Sequence, residues 1–260
     1  MFDTIYGSSK AYMESSYMAT SALFRADSYR GDCLAVITKI DDSGIYLDQT
    51  IFYPRSGGQS GDTGALVLQD ETRLEIGETH KASFPGATPD DVVHLPLPGQ
   101  EAALSRLTVG MHVRAEIDWA RRYNHMRLHT ACHLVCALVP YPVDGCGITG
   151  DTARLDFVTL DPIDKVQIGA SLAELIATES PVKIGLILDE DLKARPELIR
   201  SMSVSPPVGY GSVRLVTIGD IDIQPCGGTH VLNTSEIGTV RVTKIEKKTA
   251  RTRRITIKLD

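Results

Sequence analysis

Apolar and polar positions change period near residue 118. Before it they come as short runs of four to six residues set between turn residues. Cys33-Leu-Ala-Val-Ile37, Gly44-Ile-Tyr-Leu47 after an Asp-Asp-Ser turn, Ala65-Leu-Val-Leu68, Val92-Val-His-Leu95 and Val113-Arg-Ala-Glu-Ile117 each have the length and β-branched content of a strand. Several short strands in series predict a small, mostly antiparallel barrel. The stretch 85–99 is rich in Pro, Gly and Asp and reads as loop.

From Trp119 to Val139 the apolar residues Met126, Ala131, Leu134, Val135 and Leu138 recur at helical spacing, and Pro140 and Pro142 end the run. Beyond it the pattern predicts a hairpin over 148–157 turning at Gly150-Asp151, a helix over 161–180 and a strand over 182–188. A short helix broken by Pro196 and further strands at 213–218, 231–232 and 238–257 follow. The fold class is therefore α+β: a small N-terminal β-barrel with a glycine-rich loop over 1–118, then a mixed α+β domain over 119–260. The first 16 or so residues read as a loosely ordered lead-in.

Composition narrows the class. The 260 residues are 42% apolar and 23% charged, ordinary for a packed globular chain. No apolar run approaches the length of a membrane span, and the N-terminus lacks the basic and apolar blocks of a secretory signal. Five cysteines, Cys33, Cys132, Cys136, Cys146 and Cys226, fall at irregular spacing. An odd, irregular set argues against a disulfide framework and for a reducing cytoplasm, where Cys near His is a metal or catalytic candidate. The net charge of −6 argues mildly against a nucleic-acid partner. Its distribution argues the other way. Between Arg241 and Lys258 eight basic residues face one acid, Glu246, and Arg121, Arg122 and Arg127 form a second cluster.

Two short motifs carry the chemistry. His129-Thr-Ala-Cys-His133 lies on the predicted helix, where i, i+4 spacing puts both imidazoles on one face about 5–6 Å apart. Cys226-Gly-Gly-Thr-His230 has two glycines that favour a tight loop turning Cys and His the same way. His129, His133, Cys226 and His230 form a nitrogen and sulfur set that suits zinc. Thr130 stands where a zinc protease has its Glu, so protease-type base catalysis is not indicated. Four protein ligands also allow a closed, purely structural site. A third segment, Thr50 to Gly64, is a glycine-rich loop carrying the Gln59 amide; no Lys-Ser or Lys-Thr follows its glycines, so it is not a P-loop.

Together with Asp118-Trp-Ala-Arg-Arg122, Met126-Arg127, Arg154-Leu-Asp-Phe157, Lys244-Ile-Glu246 and Arg253-Arg254, these blocks resemble the alanyl-tRNA editing family. That family comprises the editing domain of alanyl-tRNA synthetase and the free-standing AlaX proteins. The likeness covers roughly residues 20–258 and fits the longer free-standing form. Ser56 stands where the family usually has a glycine, and Thr249-Ala250 occupy a turn where Gly and Asn are common. Nothing resembles a synthetase active site, so charging of tRNA is not expected.

The resemblance implies hydrolysis of mischarged tRNA(Ala), chiefly Ser-tRNA(Ala), with Gly-tRNA(Ala) a second candidate. An alanine pocket rejects Gly or Ser by only about 1–3 kcal/mol, so a second sieve is useful. On this likeness zinc is held by His129, His133, Cys226 and His230. Gln59 positions water or the substrate amine, and Thr149 senses the serine hydroxyl, with Thr152 and Thr50 as substitutes. Arg121, Arg122, Lys247, Lys248, Arg253 and Arg254 hold tRNA phosphates. Two other readings stay open: a tRNA-binding module with a structural zinc, and a metal-dependent hydrolase of another small ester.

Overall fold

The computed structural model describes residues 19–202 and 208–260; the expected lead-in over 1–16 lies outside the described residues. Six antiparallel strands close into a barrel: β1 (Asp32–Asp41), β2 (Gly44–Leu47), β3 (Gly64–Val67), β4 (Arg73–Lys81), β5 (Val92–Pro96) and β6 (His112–Ile117), in the order β1-β2-β5-β4-β3-β6. The alternate residues Cys33, Ala35 and Ile37 of β1, Leu74 and Ile76 of β4, and Val113, Ala115 and Ile117 of β6 fill its interior. Closure removes the sheet edges that would otherwise stay unpaired.

One strand departs from the sequence expectation here. β4 is absent from it, because Arg73, Glu75, Glu78 and Lys81 mask an apolar alternation that a bulge between Ile76 and Glu78 also interrupts. The stretch 85–99 is loop only outside the expected Val92–Leu95 strand, which forms β5 with Val92 and Val93 buried.

Helix α1 (Trp119–Leu138) starts directly after the barrel. The Asp118 side chain caps it, accepting from the Arg121 amide. Its buried face joins a second core with Leu155 and Phe157 of β8 (Thr152–Val158) and Ile255 and Ile257 of β13 (Thr252–Leu259). With β7 (Val143–Thr149) and β12 (Val240–Thr249), these strands form a four-stranded sheet in the order β12-β13-β8-β7. Helix α2 (Lys165–Ala177), capped by Asp164, packs on α1.

A three-stranded sheet, β9 (Val182–Leu188), β10 (Ser212–Ile218) and β11 (Asp222–Pro225), ends at Cys226. β11 was not expected, because its four residues are too short to show a period; Val231-Leu232, expected as a strand, is loop.

The glycine-rich loop joins the two regions. It adds itself to the edge of β7, with Ile148 N donating to Gly58 O (2.8 Å) and Ser60 N to Ile148 O (3.2 Å). Gly58 has φ of +85°, and a Cβ there would stand 2.7 Å from the Cys146 carbonyl oxygen, so no other residue fits the approach.

Candidate functional site

α1 and the loop after β11 bring His129, His133, Cys226 and His230 together, their ligand atoms all within 4.8 Å of one another. Gly228 is part of the reason: a Cβ there would stand 2.0 Å from His129 Cε1. Only a bare backbone lets the loop close over the helix.

Each imidazole has its Nδ1 engaged away from the cluster. His129 Nδ1 lies 2.8 Å from Gln59 Oε1, an acceptor, so that nitrogen carries the proton. The Gln59 Nε2 donates to Thr229 Oγ1 (2.9 Å). Thr130 donates its single hydroxyl hydrogen to Met126 O (2.9 Å), so its oxygen accepts from His230 Nδ1 (3.1 Å). His133 Nδ1 meets the Asp222 carboxylate at 3.0 Å, and Gln224 Nε2 also donates to that carboxylate (2.8 Å). In the neutral form of each ring Nε2 is thereby left as the lone-pair nitrogen. The Nε2 atoms of His129 and His230 stand 3.4 Å from Cys226 Sγ. Hydrogen bonds of this kind fix tautomer and ring direction in metal-binding histidines.

The electrostatics favour a cation at the centre. Burial opposes ionisation of Cys226, yet the neighbouring His129 and His230 hold its thiol well below the usual range. Burial keeps His230 well below the ordinary imidazole range, hence neutral. Burial also opposes charge on His133, but Asp222 and Cys226 outweigh it and raise its pKa to about 10. A thiolate and neutral imidazoles are the forms that bind metal, so an incoming metal would displace the extra proton from His133. The donor set and its outer partners therefore fit a divalent metal with nitrogen and sulfur preference.

His129, His133 and Cys226 lie in the wall of a cavity of about 980 Å³, between the glycine-rich loop and the sheet β9-β10-β11. Cys132, Cys136 and Cys146 also line it. Gln59 is fully buried, and both ends of its amide are committed to His129 and Thr229.

The structure places other expected residues away from the cluster. Thr149 is exposed at the end of β7, beside Ser60 Oγ (3.3 Å), and does not line the cavity. The chain reverses at Gly150 and carries its hydroxyl outward. Thr152 pairs with it across the hairpin, and Thr50 is buried against His94.

Arg122 corrects the phosphate assignment. It is fully buried in an ion pair with Asp62 and donates to the carbonyls of Ser28 (2.9 Å) and Ile51 (2.6 Å), so no tRNA phosphate reaches it. Arg121 is half-buried and donates to Gly61 O (3.2 Å). Lys247 is exposed on β12. Lys248, Arg254 and Arg154 converge on the buried Asp156, at 2.8, 2.6 and 3.1 Å. Burial opposes charge on Asp156, but Arg254 and Lys248 keep its pKa below the usual value. Three cations on one carboxylate leave this sheet face positive. Arg253 points to the other side and donates to Leu160 O (2.6 Å).

Thr130, Asp222 and Gln224 escaped the sequence reading. Thr130 sits inside the HxxxH motif and Asp222 four residues before Cys226, so proximity to the ligands was the only signal for either.

A buried His/Cys set that could hold a metal ion, on a helix and loop flanked by a barrel, marks the class as an editing domain of the tRNA synthetase type. The family model described as threonyl and alanyl tRNA synthetase second additional domain matches residues 213–256, and that of class II (A) tRNA synthetases matches 6–121. Alanyl-tRNA editing protein AlaX-M of Methanosarcina acetivorans is 34% identical over 91% of this chain and 97% of its own length. AlaX-M of Saccharolobus solfataricus is 32% identical over 88% of this chain and 94% of its own. The alanine–tRNA ligase of Saccharolobus islandicus is also 32% identical over 88% of this chain, but over 25% of its own length. The chain belongs to the alanyl-tRNA editing protein family.

Proposed function

We propose that this protein hydrolyses the ester of mischarged tRNA(Ala), chiefly Ser-tRNA(Ala) and secondarily Gly-tRNA(Ala), with zinc held by His129, His133, Cys226 and His230. The observation that carries the reading is the convergence of three imidazoles and one thiolate, with His129, His133 and Cys226 in the wall of a cavity. Zinc bound there supplies Lewis acidity toward the ester carbonyl or the attacking water. The protein's own groups do the rest. Gln59, Thr130 and Asp222 each fix the proton of one histidine on Nδ1. Thr229 holds the Gln59 amide in turn, so Gln59 acts through His129.

On this reading 1–118 and 119–260 work as two domains, barrel and zinc domain, and the compartment is the cytoplasm, where translation supplies charged tRNA. Among the described residues no helix is long and apolar enough to cross a membrane. The positive sheet face with Arg154, Lys248 and Arg254 takes acceptor-stem phosphates, with Arg121, Lys247 and Arg253 at its margins.

The test is deacylation of Ser-, Gly- and Ala-tRNA(Ala) with and without chelator. Chelator-sensitive loss of serine, with Ala-tRNA(Ala) spared, is expected. Binding of tRNA without hydrolysis would instead make the zinc structural, and hydrolysis of small esters as fast as of aminoacyl-tRNA would make the protein a different hydrolase.

A further inference from the structure

The mouth of the cavity differs in character from the metal cluster. Among the described residues lining it, Arg25, Lys81, Arg200 and Arg214 are cationic and Asp90 is the single acid, in a chain of net charge −6. Arg200 is turned aside, donating to Cys136 O (2.7 Å) and pairing with Asp222 (3.5 Å). The other three come from separate elements, the turn Leu23–Ala26, the end of β4 and the middle of β10. Arg25 and Arg214 meet beside the Cys226 loop, and Lys81 lies near Arg25 in the same cavity wall. Arg25 Nη1 stands 3.8 Å from where a Cβ on Gly227 would be. Arg214 donates from Nη1 to the carbonyls of Cys226 (2.7 Å) and Gly228 (2.9 Å), while its buried Nε has no hydrogen-bond partner among the described residues.

The charges are not balanced. Asp90 pairs with Arg25 alone, at 2.5 Å. Lys81 forms no ion pair among the described residues. Burial and then the nearby Arg25 lower its pKa, while Asp90 pulls it up without reaching it as an ion pair. A fold gains nothing by gathering three cations around one carboxylate unless an anion joins them. Phe24 and Tyr53, in edge contact at 5.5 Å, form an apolar wall of the same cavity. Its volume is ample for a nucleoside carrying an amino acid.

We propose that Arg25, Lys81 and Arg214 form a phosphodiester site at the cavity mouth, holding the backbone phosphate next to the terminal nucleoside whose ester reaches the metal cluster. The proposal rests on the editing reading and adds to it: the positive sheet face binds the body of the tRNA, and this site binds its single-stranded end. The unpartnered cations then set the position of the ester as well as affinity, because the phosphate is one nucleotide from the reacting bond.

The experiment compares two substrates, Ser-tRNA(Ala) and 3′-O-seryl-adenosine, which has the ester and no phosphate. Lys81→Ala and Arg25→Ala are expected to lower kcat/KM for the tRNA at least tenfold more than for seryl-adenosine, mostly through KM. The salt slope of tRNA binding should fall by about 0.7 per lost contact. Asp90→Asn should lower KM for the tRNA only, and Arg25→Lys should restore part of the loss. Variants that affect both substrates equally, or neither, overturn the phosphate site while the editing reading stands. A wild-type protein inactive on both substrates overturns the editing reading, and this site falls with it.

Discussion

Replacing Thr130 by valine keeps the shape of the side chain and removes its oxygen. That oxygen accepts from His230 Nδ1 at 3.1 Å and from Val231 N at 3.3 Å, in a fully buried position. A buried donor left without a partner costs about 1–3 kcal/mol. The longer Val231 contact contributes at the low end of that range. His230 has a way to avoid the cost: its proton moves from Nδ1 to Nε2, where it blocks the nitrogen that faces Cys226. The penalty therefore falls mainly on metal binding. Loss of an outer hydrogen bond to a ligating histidine weakens metal affinity about 10–100-fold, or roughly 1.4–2.7 kcal/mol. Competition with a chromophoric chelator measures the zinc Kd directly, and thermal melts of the metal-free protein report any loss of fold stability. Thr130→Val is expected to raise the Kd within that range, with Thr130→Ser close to wild type. An unchanged Kd in the valine variant, or a serine variant as damaged as the valine one, refutes the tautomer argument.

Three further outcomes follow from buried groups. Arg122→Met leaves Asp62 buried without its partner and should cost about 3–5 kcal/mol in urea unfolding; adding Asp62→Asn should cost far less than the sum, and strict additivity would disprove the pairing. His94 is buried between the Ile45 carbonyl and the Thr50 hydroxyl, and burial holds its pKa down to about 4. The unfolded chain takes up this proton near pH 6.5 and the folded one only near pH 4, so stability is complete above 6.5 and lost as pH falls between them. About 2 kcal/mol should go between pH 7.5 and 5, and a His94→Asn variant with the same pH slope would exclude His94 as the source. Gly228→Ala should displace His129 and lower zinc affinity at least tenfold with little change in the melting of the metal-free protein; unchanged affinity would mean the loop relaxes freely.

The sequence was informative where spacing has a direct geometric meaning. The four clustered side chains were legible because i, i+4 on a helix and Cys-Gly-Gly-Thr-His in a loop each put two donors on one side. The strands of the barrel with apolar runs were legible too. β4 was not, because its outward charges outnumber its inward apolar residues, and β11 was too short to show a period. Arg122 looked like half of a basic pair because composition cannot tell a solvated charge from a buried one; its partner Asp62 is 60 residues away. Gln59 was legible as important, but its contact with His129 was not, since the two are 70 residues apart. Thr149 was drawn from its place in the predicted hairpin and from family likeness, neither of which shows where a hydroxyl points, and it lies exposed beside the turn at Gly150.

The glycine-rich loop has a consequence for how this chain can be altered. It donates Gln59 to a histidine of α1 and pairs with β7, while α1 sends Arg122 back to Asp62 beneath the same loop. The two regions are thus cross-wired, each completing a polar group of the other. Severing the chain at residue 118 would strand a buried carboxylate on one piece, and a guanidinium and an unsupported imidazole on the other. Barrel and metal site are inherited as one object, and drift in the barrel's loop is felt first as a change in how firmly the metal is held.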